Sequence, residues 1–374
     1  MSRRELVVLG TASMVPTRTR NHNGYVLFFD DAAILFDPGE GTQRQMTLAG
    51  VSATDLTRIA ITHLHGDHSL GLAGVAQRLS GDQVRHTVPI SFPASGEPWV
   101  RHLLDASAYD HHERVALQPV AFPGAATSAR SPGPSPRPSP VVTLPRLDGE
   151  RGAGPGAPVL TARPLDHRVD AVGYRLDEPD GVSLDPAALA AAGVPAGPAV
   201  GRLLRDGVLV LDDGRTVRRD AASVPRPGQS VAFVMDTRLC DAVLELADGV
   251  DLLVVESTFL HRDAELAARW AHLTCRQAAI VAARAGVRHL VLTHFSQRYR
   301  VPDELPDEFE REAREVFDGG LTVAADLDRV PVPPRTRPRS ASGMLSVPPR
   351  GATVRGRRRR PRARGSAPRP RPRW

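Results

Sequence analysis

Short apolar runs ended by Gly, Asp or Pro open the chain, and they predict strands at 5–11 (ELVVLGT), 24–29 (GYVLFF) and 33–38 (AILFDP). A fourth run, Leu56 to Thr62, passes directly into His63-Leu64-His65-Gly66-Asp67-His68. From Leu70 to Leu79 the apolar positions shift to helical spacing. Strand-like runs return at 88–92, 159–163, 231–235, 250–255 and 288–292, with helical patterns at 262–271, 274–285 and 306–317. LTVAADLDRVPVP (321–333) reads as a strand that ends the fold. Strands joined first by short turns and later by helices predict a mixed sheet with helices packed outside.

Three stretches break this pattern. Residues 123–158 contain nine Pro with many Gly and Ser, and predict a flexible insertion. Residues 179–228 predict a small separate unit: a short helix (Pro186–Ala192), a GVPAGP turn and a hairpin-like LVLDDGRTV. Residues 331–374 are Pro/Arg-rich and predict a disordered tail after a 1–330 domain.

With 374 residues, 41% of them hydrophobic but only 5% aromatic, the core must be built mainly from Ala, Val and Leu. No apolar run approaches the ~18 residues of a membrane span, so no membrane association is expected. Two cysteines without CxxC spacing argue against a disulfide scaffold or a thiolate zinc site, and predict a cytoplasmic protein. The net charge of +6 is misleading. The tail from Pro331 carries 14 Arg and no acid, so removing it leaves −8 on residues 1–330. All 48 basic residues are Arg, which fits biased composition better than selection for a basic surface.

The chemistry concentrates in His63-Leu64-His65-Gly66-Asp67-His68. Four potential ligands in six residues, after a strand, can be aimed at one spot by a turn that Gly66 makes tight. Imidazole and carboxylate together suit zinc. His63 and His65 can share one ion, while Asp67 and His68 project towards a second. Six residues cannot close two sites, so further ligands must come from other strand ends. His167, Asp236 and His294 stand at such ends, and Asp236 is the natural bridge between two ions.

This order of HxHxDH, His, Asp and His resembles the metallo-β-lactamase superfamily. Within it the chain is most similar to the ribonuclease Z family of tRNA 3′-processing endoribonucleases. The similarity covers residues 3–330 apart from 123–158. It is carried by FDPGEGTQRQM (37–46 region), HLHGDHSLGLAG (63–74), VGYRL (172–176), the GP-containing turn (193–198), MDTR (235–238), VEST (255–258), HLT (272–274) and LTHFSQRY (292–299).

The resemblance implies an α/β fold, the metallo-β-lactamase αββα sandwich, with a small protruding tRNA-binding arm at 179–228 and a disordered tail. It implies a zinc-dependent endoribonuclease that removes the 3′ trailer from precursor tRNA, working as a homodimer. Two Zn(2+) per subunit are implied: one on His63, His65, His167 and Asp236, the other on Asp67, His68, Asp236 and His294. Asp67 matches the proton acceptor beside the attacking water. Glu256 and His272 match loop positions associated with protonating the leaving oxygen, although Val255 and Leu273 replace the His and Ser common beside them. Arg18 and Arg20 of PTRTRN match a loop near the acceptor end, with Arg18 where Lys is usual; Gly197 and Pro198 match the arm. Arg202, Arg205, Arg215, Arg218 and Arg219 are expected to give that arm positive charge against an acidic body. Two other readings compete: a small-ester hydrolase of the same fold would not need the arm, and a non-catalytic RNA-binding module would not need all seven ligands.

Overall fold

The computed structural model describes residues 3–108, 114–122, 138–146, 156–299 and 305–335. Among these residues two seven-stranded mixed sheets lie face to face. The first is formed by β1 (Arg4–Gly10), β2 (Gly24–Phe29), β3 (Ala32–Phe36), β4 (Arg58–Ala60), β5 (Val88–Pro93) and β6 (Val115–Val120), closed by the last strand of the chain. The second opens with β7 (Val142–Leu144), β8 (Val159–Leu165) and β9 (Ala171–Asp177). The chain then builds the small unit from β10 (Gly181–Leu184), β11 (Val208–Val210), β12 (Thr216–Arg218) and β13 (Ser223–Arg226). It returns to complete the second sheet with β14 (Ser230–Val234), β15 (Leu252–Glu256), β16 (His289–Thr293) and β17 (Gly320–Val323). Finally β18 (Arg329–Pro331) pairs with β1 in the first sheet.

Each sheet is part antiparallel and part parallel, with β3 to β6 parallel in one and β14 to β17 parallel in the other. The facing sides share one apolar layer, in which Phe36 stacks on Phe233 with centroids 4.4 Å apart and Tyr25 meets Phe233 edge-on at 5.1 Å. The outer sides are covered by helices through two further clusters. Every residue of β2 is buried, as a strand covered on both faces requires. Two mixed sheets with helices outside both are the expected αββα sandwich.

Three expectations need correction. The Pro-rich stretch 123–158 is not wholly an insertion: Val142–Leu144 pairs with β8, and Leu144 is buried in the central layer, because this β-branched, apolar island can fill an edge position. Its remaining parts, 123–137 and 147–155, lie outside the described residues. LTVAADLDRVPVP is two strands rather than one. β17 joins the second sheet, Leu327 turns the chain at φ +72°, and β18 crosses to the first. The ordered chain also continues past 330. Arg335 hydrogen-bonds Pro227 O and the buried carboxylate of Glu178, which also receives Arg4 and Arg226. The predicted tail lies outside the described residues from 336 onward.

The unit at 179–228 has its own apolar cluster around Leu203, Ala222, Leu209 and Val217. Its charge differs from expectation. Six Arg are matched by six Asp over 179–228. Arg215 pairs with Asp213 at 2.7 Å, Arg218 pairs with Asp220 at 3.2 Å, and Arg219 is turned onto Leu204 O.

Candidate metal centre

Four chain segments leave the sheets at one edge and bring the predicted ligands together. After β4 the chain passes Thr62 to His63, and His65 then serves as the N-cap residue of the short helix Gly66–Ser69. β8 runs out to His167, β14 to Asp236 and β16 to His294. The 37–41 loop packs backbone to backbone against the HLHGDHSLG segment: a Cβ on Gly39 would lie 2.1 Å from Asp67 O, and one on Gly71 would lie 2.0 Å from Gly39 O. Only glycine permits this approach, which sets Asp37 against His68. Eight described non-glycine residues have positive φ, and five of them touch this site: Met14, Asp37, Asp236, Ala271 and His294. Such strain costs on the order of 1–3 kcal/mol per residue and persists where the surrounding fold enforces it.

The ligand atoms fall into two main sets, and a third, overlapping one joins Asp236 and His294 with His272. His63, His65, His167 and Asp236 converge in one, and Asp67, His68 and His294 in the other. In the first, His63 Nε2 lies 3.0 Å from His65 Nδ1 and 3.5 Å from Asp236 Oδ2, and His167 Nε2 lies 3.7 Å from the same oxygen. In the second, His68 Nε2 and His294 Nε2 are 3.2 Å apart, and lie 3.4 and 3.6 Å from Asp67 Oδ2. Both also face Asp236 Oδ1, at 3.4 and 3.1 Å. Tetrahedral bonds of 2.0–2.1 Å to a central ion would separate ligand atoms by about 3.3 Å. Asp236 thus offers one oxygen to each set.

The donor chemistry fits a cation at this place. Asp236 Oδ1 and His167 Nε2 are buried and have no hydrogen-bond partner. Buried polar atoms are seldom left so, and an ion is one of the standard reasons. The clusters and the fold together make this a metal-binding site.

The ring nitrogens facing away from the site explain how the imidazoles are aimed. His68 Nδ1 donates to Asp37 Oδ2 at 2.8 Å, and His167 Nδ1 donates to Ala271 O at 3.0 Å. Thr62 Oγ1 donates to Asp37 Oδ2 at 2.7 Å, leaving its oxygen to accept from His63 Nδ1 at 3.1 Å. Thr258 repeats this device, donating to Glu256 and accepting from His294 Nδ1 at 2.7 Å. In all four rings the proton is held on Nδ1, so Nε2 presents a lone pair. Asp37, Thr62, Thr258 and Ala271 were not singled out as site residues from sequence. Asp37 and Thr258 lay inside family-like stretches, which was the available signal.

Electrostatics favour neutral imidazoles in the first set. Burial, joined by neighbouring imidazoles, holds His63 well below the ordinary histidine value, and burial also lowers His65 and His167, favouring the neutral form that a ligand needs. For His68 burial acts the same way but is outweighed by Asp236, Asp67 and Asp37, which push it up. Burial alone would raise Asp236, yet the surrounding imidazoles hold it well below the carboxylate range.

His272 lies beside the first set, its ring centroid 5.3 Å from that of His167. Its Nδ1 is 3.1 Å from Glu256 Oε2, and Glu256 is fully buried and also accepts from Thr237 N at 2.7 Å. Burial lowers the His272 pKa, but Glu256 and Asp236 outweigh it and push the ring up to about 9. Asp67 Oδ2 accepts from Met14 N at 2.7 Å. The predicted substrate-binding residues do not join this convergence. Arg18 is exposed, while Arg20 turns inward to Phe295 O and to Tyr299 O at 2.6 Å. Gly197, at φ +94°, opens helix Pro198–Asp206 in the small unit.

Comparison with known proteins agrees with the geometry. Residues 17–178 match the family described as the metallo-beta-lactamase superfamily, and residues 213–295 match a beta-lactamase superfamily domain. The chain is 53% identical to a ribonuclease Z of Nocardia farcinica over 336 residues, 90% of this chain and all of that protein. It is 54% identical to a ribonuclease Z of Streptomyces coelicolor over the same shares. Among solved structures, human tRNase Z short form superposes with a TM-score of 0.56 at 22% identity, covering 88% of this chain and 99% of that one, which is a likeness of fold.

Proposed function

We propose, because this chain belongs to the ribonuclease Z family within the metallo-β-lactamase superfamily, that it is an endoribonuclease that removes the 3′ trailer from precursor tRNA and leaves a 3′-hydroxyl on the tRNA. The observation that carries the reading is the placing of Asp236, which presents one oxygen to each of two clusters of imidazole and carboxylate groups. A two-ion centre suits phosphodiester hydrolysis. The proposal assigns His63, His65, His167 and Asp236 to one Zn(2+), and Asp67, His68, Asp236 and His294 to the other. When bound, two such ions lower the pKa of water to near neutrality and neutralise charge on the phosphate.

The chain's own groups do the remaining work. Asp67, held by Met14 N, orients the attacking water and takes its proton. His272 donates a proton to the departing 3′-oxygen. Its Nδ1 is held by Glu256, so its other ring nitrogen is the one free to act. Glu256 positions this ring and, through Thr258, His294, so its role is exerted from behind the site. Arg18 remains the exposed cation for the acceptor end, whereas Arg20 acts by tying its loop to the His294 segment. The small unit at 179–228, with Gly197 and Pro198 at its turn, serves as the tRNA-gripping arm. Arg202 and Arg205 are its cations with neither a carboxylate nor a carbonyl partner among the described residues. The proposal includes a homodimer in the cytoplasm. Among the described residues no helix is long and apolar enough to cross a membrane.

The test is cleavage of a precursor tRNA beside a small chromogenic phosphodiester, with metal analysis of the same preparation. Two divalent ions per subunit and a cut leaving a 3′-hydroxyl are expected. Metal-free protein that cleaves in the presence of chelator, or hydrolysis of the small diester alone, would reject the reading.

A further inference from the structure

Trp270 sits at the rim of the metal centre, and the chemistry above gives it no task. It is the last residue of helix Ala264–Trp270 and is 42% exposed. The residues that follow fix it to the site. Ala271, buried and left-handed at φ +63°, gives its carbonyl to His167 Nδ1 at 3.0 Å. His272 N returns to Ala267 O at 2.9 Å, and its side chain meets Glu256. An exposed indole is thereby mounted one residue from the carbonyl that aims a ligand and two residues from the proton donor.

Two guanidinium groups lie against this indole. Arg168, which directly follows His167, is 4.9 Å from the ring centroid, and Arg269 is 5.5 Å from it. Both are exposed, and among the described residues neither has a carboxylate or hydrogen-bond partner. Other nearby cations behave differently: Arg238 pairs with Asp166 at 2.9 Å, Arg298 with Asp263 at 3.1 Å and Arg262 with Glu308 at 3.0 Å. Two unpaired cations sharing an aromatic face, in a body of net negative charge, match one ligand chemistry well. The base of an unpaired nucleotide stacks on the ring, and its phosphate meets the guanidinium groups.

We infer that Trp270, Arg168 and Arg269 form a stacking site for the last nucleotide of the mature tRNA, the one whose 3′-oxygen leaves. The side of the cut follows from His272. A proton donor to the leaving oxygen must lie on that side of the phosphorus, opposite the water oriented by Asp67, and Trp270 is two residues from it. This assignment rests on the role given to His272 above.

The experiment compares wild type, Trp270→Ala, Trp270→Phe and Arg168→Gln on three precursors: intact, abasic at the last mature nucleotide, and abasic at the first trailer nucleotide. Metal content and Tm are measured for each protein. On the intact precursor Trp270→Ala should raise KM about 5- to 150-fold, the range for losing one base–aromatic stack, with kcat little changed. Trp270→Phe should recover most of the loss. The abasic site at the last mature nucleotide should erase the difference between wild type and Trp270→Ala, while the trailer abasic site should leave it intact. Arg168→Gln, at an exposed position, should reduce the salt dependence of KM by the slope of about one phosphate contact. A wild-type KM for metal-loaded Trp270→Ala overturns the inference, as does a difference that survives the abasic mature end or disappears with the abasic trailer. Should Trp270→Ala lose its metal, an unchanged salt slope in Arg168→Gln overturns it instead. Failure of wild type to cut the intact precursor would count against the proposed function, not against the stacking site alone.

Discussion

Replacing Asp37 by Asn isolates the contribution of a residue that touches no ion. Asp37 is fully buried; Oδ1 accepts from Thr62 N at 2.7 Å, and Oδ2 accepts from Thr62 Oγ1 at 2.7 Å and His68 Nδ1 at 2.8 Å. Asn has the same shape, and its carbonyl can keep the bond from Thr62 N. Its amide nitrogen then faces Thr62 Oγ1 and His68 Nδ1, and an amide NH2 cannot accept. His68 must either move its proton to Nε2, where a ligand needs a lone pair, or leave Nδ1–H unsatisfied in a buried place. The second course costs about 1–3 kcal/mol, so it caps the loss at about 5- to 150-fold in affinity for the ion held by Asp67, His68 and His294. Outer hydrogen-bond partners of ligands are typically worth ~10–100-fold, the same range. Competition titration with a chelator, reading the two ions separately, should show the ion at Asp67, His68 and His294 weakened by about 10–100-fold and the His63–His65–His167 ion weakened less, because Thr62 Oγ1 loses its acceptor but keeps a lone pair for His63 Nδ1. Activity should return as metal is added in excess. Asp37→Asn holding both ions with wild-type affinity would refute the tautomer argument.

Asp67→Ala should lower single-turnover cleavage by at least ~10²–10⁴-fold while precursor affinity stays near wild type, since general acid–base help is of that size and the phosphate contacts lie elsewhere; near-wild-type cleavage by metallated protein would exclude the role. His272→Ala should reduce kcat by less than that and leave KM unchanged, and a KM effect alone would argue for a binding role. Burial raises the Glu178 pKa, but Arg4 and Arg335 outweigh it and hold the carboxyl at about 2 against an ordinary 4.5. A depressed folded pKa adds stability above pH 4.5 that is lost as pH falls towards 2. The amount is about 3 kcal/mol in full, about 2 kcal/mol of it lost by pH 3, and urea unfolding of wild type against Glu178→Gln from pH 7 to 3 should show that loss only in wild type. A chain ending at Arg337 should keep its Tm and lose salt sensitivity in precursor binding. One ending at Pro333 also loses the Arg335–Glu178 bond and should be less stable by about 1–3 kcal/mol, so equal Tm values would show that the latch contributes nothing.

Much of the site could be read from the chain because its signal is local. His63, His65, Asp67 and His68 are neighbours, and His167, Asp236 and His294 each follow an apolar run that had to be a strand. Strand ends in such sheets collect at one edge, so seven candidate ligands could be named without coordinates, and the fold brings them together. Local pattern also marked the helix after Leu70 and the small unit at 179–228. It misread LTVAADLDRVPVP, because strand propensity does not say which of two sheets a residue pairs with. It missed β7 because one buried leucine, Leu144, outweighed a Pro-rich surrounding. The neutral charge balance of the small unit was legible by count, but the orientation of Arg20, the Asp37–His68 and Thr258–His294 hydrogen bonds and the placing of Arg168 against Trp270 were settled by contacts between distant segments. Residue type and spacing determine which groups can bind a cation. Which nitrogen of a ring faces that cation, and whether an arginine points to solvent or to a carbonyl, depends on partners that only the packed sheets bring within hydrogen-bond distance.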